Sequence, residues 1–595
     1  MKQDKANIKK EIEKPTRSLT SDCLDKIGSE VMIQGWIAKI RNHGSLVFID
    51  LRDWEGVIQL VLDKEKTDIP EKVGLEYVVE VLGTVVEREE GFKNEKMLTG
   101  NIEVQVSEIT VLNESLTPPF PLDGNGFDVS EDIRYKYRYL DIRRKSVRDI
   151  IKNRHDLMMS TREWFSDNGF VEIQTPLLTV SSPEGARDYL VPSRIHQGSF
   201  YALPQAPQQY KQLLMVGGVD KYFQIAPCFR DEDPRADRHS GEFYQIDTEC
   251  SFITRDELFH LSEPYFKEVV SKLTEKKIKQ YRFPKIKYTE VIEKYGTDKP
   301  DLRFEMHLFD LTSEFKESGM RIFEDVESVK AVLVDKTFSK KEIEELTDWM
   351  KKEGAKGLAV FAVEDSSLKG HLAEHFSLDI QQKVLDKAKE AGYTVDTNQT
   401  IFAVADNYAN STKLTGLVRS RMGDILNLKS SEELAFAWIV DFPMYEWNED
   451  SKKWDFGHNP FSMPQGGLSA LKSKLPGEIM AEQFDLVCNG YELASGSIRN
   501  HHPKTFIEAF KVVGYTEEET REEFGHMISA FEYGAPPHGG FAVGFDRLMM
   551  VLFNVENIRE VYAFPKQNAR EAMTGAPRRV EKKDLDILGL ELKKK

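Results

Sequence analysis

From Arg17 to about residue 113 the apolar residues fall at every second position. "EVMIQGWIAKI", "SLVFIDLRD", "GVIQLVL", "YVVEVLGTVVER" and "IEVQVSEITVL" are separated by turn formers. A period of two, rich in Val and Ile, commits the segment to strands with one buried face. Five short strands in sequence predict a small closed β-barrel of the OB type, because closure removes the unpaired edges. "NESLTPPFPLDGNGFD" then breaks every period and reads as a linker.

Beyond residue 130 the period changes. "SVRDIIKNRHDLMMSTREWFSDNGF" has helical spacing and stops at Asn168-Gly169. "FVEIQTPLLT" predicts a strand ending at Pro176. Strands and helices alternate to about 290, and residues from about 300 to 420 read as an α+β insert. A Ser-x-x-Glu capping box at Ser339 and Glu342 opens one of its helices, and "HFSLDIQQKVLDKAKEAG" is a second that closes on Gly392. A strand-rich pattern returns after about 430. A chain of 595 residues exceeds one core, so the prediction is α+β and multidomain.

Composition excludes several classes. No run of about 20 apolar residues exists to span a membrane. The charged start "MKQDKANIKKEIEKPTR" lacks an apolar stretch, so it is not a secretory signal. Cys23, Cys228, Cys250 and Cys488 form no CxxC pair, which argues against zinc and a disulfide framework and fits a cytoplasmic location. A net charge of −18 argues against a generic polyanion binder and against DNA, but not against an RNA held by a local basic face.

Four stretches can carry chemistry. In "CFRDEDPRADRHSGEFYQIDTECSF" charges of both signs separate two strand-like segments. Taken alone this reads as a solvated loop whose ion pairs are worth about 0–1 kcal/mol each. In "PPHGGFAVGFDRLMMVLF", Gly539, Gly540 and Gly544 permit close approach, and Arg547 follows near a helix start. In "EQFDLVCNGYELASGSIRNHHP", Asp485, Glu492 and Arg499 are spaced by seven. A hairpin there would face Asp485 to Glu492, a donor pair suited to Mg²⁺ with substrate phosphates; a surface patch with Arg499 as counter-ion is the alternative. "SSPEGARDYLVPS" and "YALPQAPQQYKQLLM" offer Glu184, Gln208 and Lys211 for a small polar ligand, or for ordinary loop hydrogen bonds.

In this order, behind a barrel, these stretches resemble the three signature motifs of class II aminoacyl-tRNA synthetases. "EGARDYLVPSR", "ALPQAPQQYKQLLM", "FRDEDPRADR" and "EFYQIDTE" are similar to the aspartyl-tRNA synthetase family in particular, and the insert to its bacterial type. The resemblance implies a charged extension over 1–16, an anticodon-binding OB domain over 17–113 and a hinge over 114–135. It implies a catalytic domain over 136–298 and 426–595, an antiparallel sheet with helices, interrupted by the insert over 299–425. The implied reaction joins L-aspartate to ATP with Mg²⁺, then charges tRNA-Asp, in a homodimer.

The same resemblance assigns roles by position. Arg230 matches the arginine on the α-phosphate, whose planar fork can hold two oxygens. Asp231, Glu232 and Phe243 match ATP-binding positions, Phe243 as the ring on adenine. Arg547 matches the γ-phosphate arginine within the ATP-binding run Gly544, Phe545, Asp546, Arg547. Asp485 and Glu492 match the Mg²⁺ carboxylates, with Glu492 also on the ATP side. Lys211 and Arg499 match the clamp on the aspartate side chain. Asp247, Gln208, Glu184, Arg230 and His458 match the remaining aspartate-binding positions. In the barrel, Arg41, Phe48 and Gln59 match anticodon contacts, although strand alternation alone equally allows Phe48 in the core. His43 with Gly91 resembles the pair of relatives that charge tRNA-Asn as well; strict tRNA-Asp specificity is the alternative. The sequence departs from the family at Asn459, where many carry a second histidine, at Ala206, and in "RHSGEF", which is one residue longer. Related asparagine or lysine ligases are disfavoured by the cationic clamp. A non-catalytic RNA-binding paralogue is disfavoured by the presence of Arg230, Arg547 and both carboxylates.

Overall fold

The structure is a computed structural model and describes residues 15–70, 72–181, 185–232 and 241–593. The chain divides into two compact units, residues 1–152 with 562–578 and residues 153–561 with 579–595.

The first unit holds strands β1 (Glu30–His43), β2 (Leu46–Arg52), β3 (Val57–Asp63), β4 (Val78–Glu87) and β5 (Ile102–Asn113). β1 pairs antiparallel with both β2 and β4, while β5 pairs with β4 and runs parallel to β3. Together with the β2–β3 pairing this closes the OB barrel that the alternation predicts. Ile33, Ile37, Ile49, Leu51, Leu60 and Val81 point inward and form one core.

Helix α1 (Lys145–Asp167), whose first turns belong to the first unit, ends just before left-handed Gly169. The second unit continues with α2 (Gln208–Val216), the hairpin β6 (Lys221–Phe229) and β7 (Glu242–Ser251), and helices α3 (Arg255–Leu273) and α4 (Tyr288–Tyr295). The insert contributes β8 (Ser328–Val334), α5 (Lys340–Lys352), β9 (Ala359–Glu364), α6 (Leu378–Glu390), β10 (Gln399–Asp406) and α7 (Tyr408–Ile425). Then come β11 (Phe436–Val440), β12 (Gln483–Cys488), β13 (Tyr491–Ile498), α8 (Pro503–Val512), α9 (Glu517–Glu532), β14 (His538–Gly544) and α10 (Phe545–Phe553).

The main sheet runs in the order β11-β12-β13-β14-β7-β6, antiparallel throughout, with a short parallel strand at each edge. The insert has its own sheet, ordered β8-β10-β9 between two short strands. Capping boxes start α3, α5 and α9: Thr254 with Glu257, Ser339 with Glu342, and Thr516 with Glu519. The expected strand "FVEIQTPLLT" is cut to Val171–Glu172, which pairs with Tyr222 and Phe223 at the sheet edge. Pro176 has no N–H to continue the ladder, and Leu177 and Leu178 are exposed. Among the described residues no helix is long and apolar enough to cross a membrane.

Candidate active site

Sheet register builds the site. Asp247 on β7 is partnered with Ala542 on β14, Ala542 with Ser495 on β13, and Ser495 with Asp485 on β12. Cross-strand partners share a face, so one row carries two carboxylates separated by two small side chains. At about 4.8 Å per strand the Cα atoms of Asp247 and Asp485 stand roughly 14 Å apart. Over this row lies a cleft of about 510 Å³. Its lining includes Gln208, Lys211, Arg230, Glu232, Phe243, Asp247, His458, Asp485, Glu492, Arg499, Gly544, Asp546 and Arg547.

At one end four buried charges interlock. Lys211, from α2, donates to Asp247 Oδ1 at 2.7 Å and lies 3.3 Å from Glu249 Oε2. Arg499 donates from Nε and Nη2 to the two Glu249 oxygens at 2.9 and 3.0 Å, from Nη1 to Ser497 Oγ, and from Nη2 to the Gly540 carbonyl. Four of its five N–H donors are thereby engaged, which leaves one on Nη1. Gly540 must lack a side chain, since a Cβ would stand 2.1 Å from Thr248 O and 2.3 Å from Glu249 Oε2. Burial opposes ionisation of Glu249, but Arg499 and then Lys211 outweigh it and hold its carboxyl below the usual range. Burial wins at Asp247, whose carboxyl is raised despite Lys211. Asp247 Oδ2 is buried with no hydrogen-bond partner. Behind the clamp, Gln208 donates to Gln212, and Gln212 meets His538 Nε2 at 3.1 Å. His538 Nδ1 lies 2.7 Å from the Pro536 carbonyl, so Nδ1 carries the proton and Nε2 accepts.

At the other end Arg547 donates to the Glu492 carbonyl at 3.1 Å and lies 3.6 Å from its carboxylate. Lys299 pairs with the same carboxylate at 2.9 Å. Burial opposes ionisation of Glu492, yet Lys299 and then Arg547 keep its carboxyl low. Asp485 is pushed well above the carboxylate range by burial and then by Glu492, and its Oδ1 has no partner. The two are not direct cross-strand partners as the spacing suggested. The turn at Asn489-Gly490 sets Glu492 opposite Val487, and a register shift between Leu486 and Val487 then sets Asp485 opposite Ser495. Among the described residues no three His, Cys, Asp or Glu side chains are grouped to hold a metal by protein ligands alone. A pair of adjacent carboxylates, one with an open oxygen, fits Mg²⁺, which takes one or two carboxylates and completes its shell with phosphates and water.

Between the ends, Arg230 follows β6, and its backbone N–H donates to the Gly241 carbonyl at the start of the return strand. Gly241 is left-handed, and a Cβ there would lie 2.4 Å from Tyr189 Oη, so this position of the departing "RHSGEF" run requires glycine. The Arg230 guanidinium lies 5.1 Å from the Phe243 ring centroid, and its Nε is buried without a hydrogen-bond partner. Asp546 accepts from Arg154 at 2.7 Å and from the Tyr244 N–H at 3.1 Å, bracing α10 against β7. His458 packs edge-on to Phe442 and Tyr288. Asn459, in the cleft lining, accepts from the Phe461 N–H. Two expected ATP-side residues are not in the lining. Asp231 is exposed, with its N–H on the Arg187 carbonyl, and the Phe545 ring is fully buried, with the Arg154 guanidinium 4.8 Å from its centroid. Glu184 lies outside the described residues.

In the barrel unit Phe48 is half-buried on the face opposite the core, between inward-pointing Val47 and Ile49, so it is not a core residue. It pairs in register with Arg41, and His43 packs edge-on to its ring at 5.7 Å. Arg41 forks onto Asp50 and also reaches Gln59 Oε1 at 3.1 Å. Gly91 lies in the turn Glu90–Phe92, where neither conformation nor packing demands glycine.

Glu249 and Lys299 escaped the sequence reasoning. Glu249 had a signal: two residues from Asp247 along one strand, it must share Asp247's face. Lys299 had none, since it stands in a loop.

An OB barrel on one unit and, on the other, an antiparallel sheet with arginines and carboxylates around a cleft define a nucleotide-handling enzyme with a nucleic-acid-binding module. The comparisons agree with this class. The description "tRNA synthetases class II (D, K and N)" fits residues 130–568, and "OB-fold nucleic acid binding domain" fits residues 31–112. The chain belongs to the class II tRNA synthetases of the D, K and N group. It is 45% identical over 575 residues to an aspartate–tRNA(Asp/Asn) ligase of Rhodopseudomonas palustris (strain HaA2), covering 95% of this chain and 96% of that one. It is 46% identical to one of the same name from Beijerinckia indica, covering 94% and 95%. Its fold is similar to that of asparaginyl-tRNA synthetase from Pyrococcus horikoshii complexed with asparaginyl-adenylate, with TM-score 0.56 and 18% identity over 93% of this chain and 98% of that one.

Proposed function

We propose that this chain is an aspartate–tRNA ligase, which activates L-aspartate with ATP, releases pyrophosphate, and passes the aspartyl group to tRNA with release of AMP. One observation carries the reading. Three buried polar atoms without partners, Asp247 Oδ2, Arg230 Nε and Asp485 Oδ1, belong to residues lining the same cleft. Such atoms are rare in folded proteins because each costs desolvation without return, so their grouping marks ligand positions. An ammonium satisfies the first, a phosphate the second and a divalent cation the third.

The α-ammonium of aspartate donates to Asp247. Its side-chain carboxylate takes the remaining Arg499 donor and faces Lys211. Asparagine matches the shape without the charge and leaves that buried clamp under-compensated. The α-carboxylate attacks the α-phosphorus in line and the bond to pyrophosphate breaks, with no protein nucleophile. Arg230 holds the α-phosphate oxygens, Arg547 the γ-phosphate, and Phe243 the adenine face. Asp485 and Glu492 hold Mg²⁺, which when bound offsets charge on the phosphates. A terminal ribose hydroxyl of tRNA then attacks the aspartyl carbonyl and AMP leaves.

The half-exposed Phe48, with Arg41 and Gln59 beside it, supports stacking and edge-reading of a splayed anticodon base, with residues 17–113 as the anticodon-binding domain. The edge-on His43 and the open surroundings of Gly91 support acceptance of both tRNA-Asp and tRNA-Asn, the pair carried in the relatives' names. Exposed Leu177, Leu178 and Val180 support a homodimer, and unpaired buried cysteines a reducing cytoplasm. The test is ATP–pyrophosphate exchange with each amino acid, followed by aspartylation of purified tRNA-Asp and tRNA-Asn. Exchange with asparagine or lysine in place of aspartate overturns the assignment. Product from tRNA-Asp but not tRNA-Asn restricts it to the first.

A further inference from the structure

Lys299 belongs to an irregular segment that leaves α4 at residue 296 and enters the insert. That segment is gripped from both sides. Arg419, on helix α7 of the insert, donates to the carbonyls of Asp301, Phe304 and Met306 at 2.9, 3.0 and 2.6 Å. Arg303 donates to the Ser430 carbonyl, and Lys279 to the carbonyls of Leu302 and Arg303. The insert therefore fixes the backbone that presents Lys299 to the cleft.

There the ammonium lies 2.9 Å from the Glu492 carboxylate and 3.7 Å from Asp298. Glu492 is one of the two carboxylates that fit a divalent cation. Lysine is a compact point charge on a flexible stem, able to pair with one oxygen and then swing to another. An ammonium and a divalent cation cannot share the Glu492 oxygen that Lys299 contacts, because like charges at contact distance repel even in a partly exposed cleft.

We propose that Lys299 is the resident counter-ion of the metal-binding carboxylates. It holds Glu492 oriented before ATP arrives, releases that carboxylate when a divalent cation binds, and moves onto the phosphate oxygens of the nucleotide. The insert, by clamping residues 301–306, sets the reach of that side chain. The proposal rests on the ligase reading and gives the insert a part in nucleotide binding.

The test uses the full-length protein. Mn²⁺ is titrated without ATP and free Mn²⁺ is read by electron paramagnetic resonance. K299M is expected to bind Mn²⁺ at least tenfold more tightly than wild type, because the competing cation is gone, while K299R stays near wild type. In pyrophosphate exchange K299M is expected to raise KM for ATP at least tenfold and leave KM for aspartate within twofold, with K299R restoring most of the loss. Unchanged Mn²⁺ affinity in K299M, or an unchanged KM for ATP, overturns the proposal while wild-type exchange with aspartate keeps the ligase reading intact. Absence of that wild-type exchange defeats both.

Discussion

Glu249 is fully buried, yet its two oxygens hold both cations of the proposed aspartate clamp, Arg499 and Lys211. The informative change is Glu249→Gln, which keeps the shape and removes one charge. In the wild type both oxygens accept from Arg499 and one also faces Lys211. In the variant one oxygen still accepts from Arg499 Nε–H, but an amide NH₂ points at donors. The loss is one charge-assisted hydrogen bond, about 1.5–3 kcal/mol. To it is added the burial of an unbalanced positive charge, for which breaking buried pairs costs about 3–5 kcal/mol. Local rearrangement of Arg499 relieves part of this, and misplacement worth about 3 kcal/mol corresponds to roughly 100-fold in affinity. KM for aspartate in pyrophosphate exchange should therefore rise about 100-fold, and KM for ATP should change less than about threefold. A thermal melt beside the kinetics separates a displaced clamp from an unfolded protein. An aspartate KM within about threefold of wild type at unchanged melting temperature would refute the reasoning. So would a lower KM, since the added positive charge would then outweigh the lost geometry.

Three further outcomes are expected. Arg230→Ala removes a guanidinium whose described side-chain contact is the Phe243 ring, worth about 0.5–2 kcal/mol, so the protein stays folded while aspartyl-adenylate formation is lost; exchange at wild-type rate would contradict its role. Phe48→Ala leaves the barrel core intact and weakens tRNA charging by about 1–3 kcal/mol in KM for tRNA, with pyrophosphate exchange unaffected; circular dichroism and charging kinetics check both halves. Burial holds the His501 imidazole down at about 4, so below the ordinary value near 6.5 the unfolded chain takes up a proton that the folded one refuses. Stability should accordingly fall as pH drops from about 6.5 towards about 4, and H501N should flatten that slope in urea unfolding followed at several pH values.

The barrel was legible because a period of two is a property of the strand backbone, and five consecutive segments keep it. The capping box at Ser339 and Glu342 and the stop at Asn168-Gly169 were legible for the same reason, since they are satisfied within one turn of chain. Where a neighbour had to be supplied from elsewhere, local pattern misled. "FVEIQTPLLT" has strand-forming residues but pairs as a strand only at Val171 and Glu172, with an isolated bridge from Thr179 to Ala202 beyond the proline. The spacing of Asp485 and Glu492 invited a direct pairing that the position of the turn at Asn489-Gly490 excludes, since it sets Val487 opposite Glu492. Strand alternation alone could not decide whether Phe48 faced in or out, and the phase of β2 in the closed barrel decides it.

The site divides along the same line. The sequence by itself determined which charges are available, that Asp247 and Glu249 share a face of one strand, and that "FRDED" and "GFDRL" stand at element boundaries. Only the tertiary structure decided which charges meet. Arg499 lies 250 residues from Glu249 and reaches it because β14 aligns β13 with β7. Lys299 meets Glu492 although the whole insert separates them in sequence, and Arg419, far along the insert, holds the backbone beside Lys299. Backbone geometry repeats over two to four residues and can be read from one segment. Charge pairing in a buried cleft is set by register between segments, and no single segment contains it.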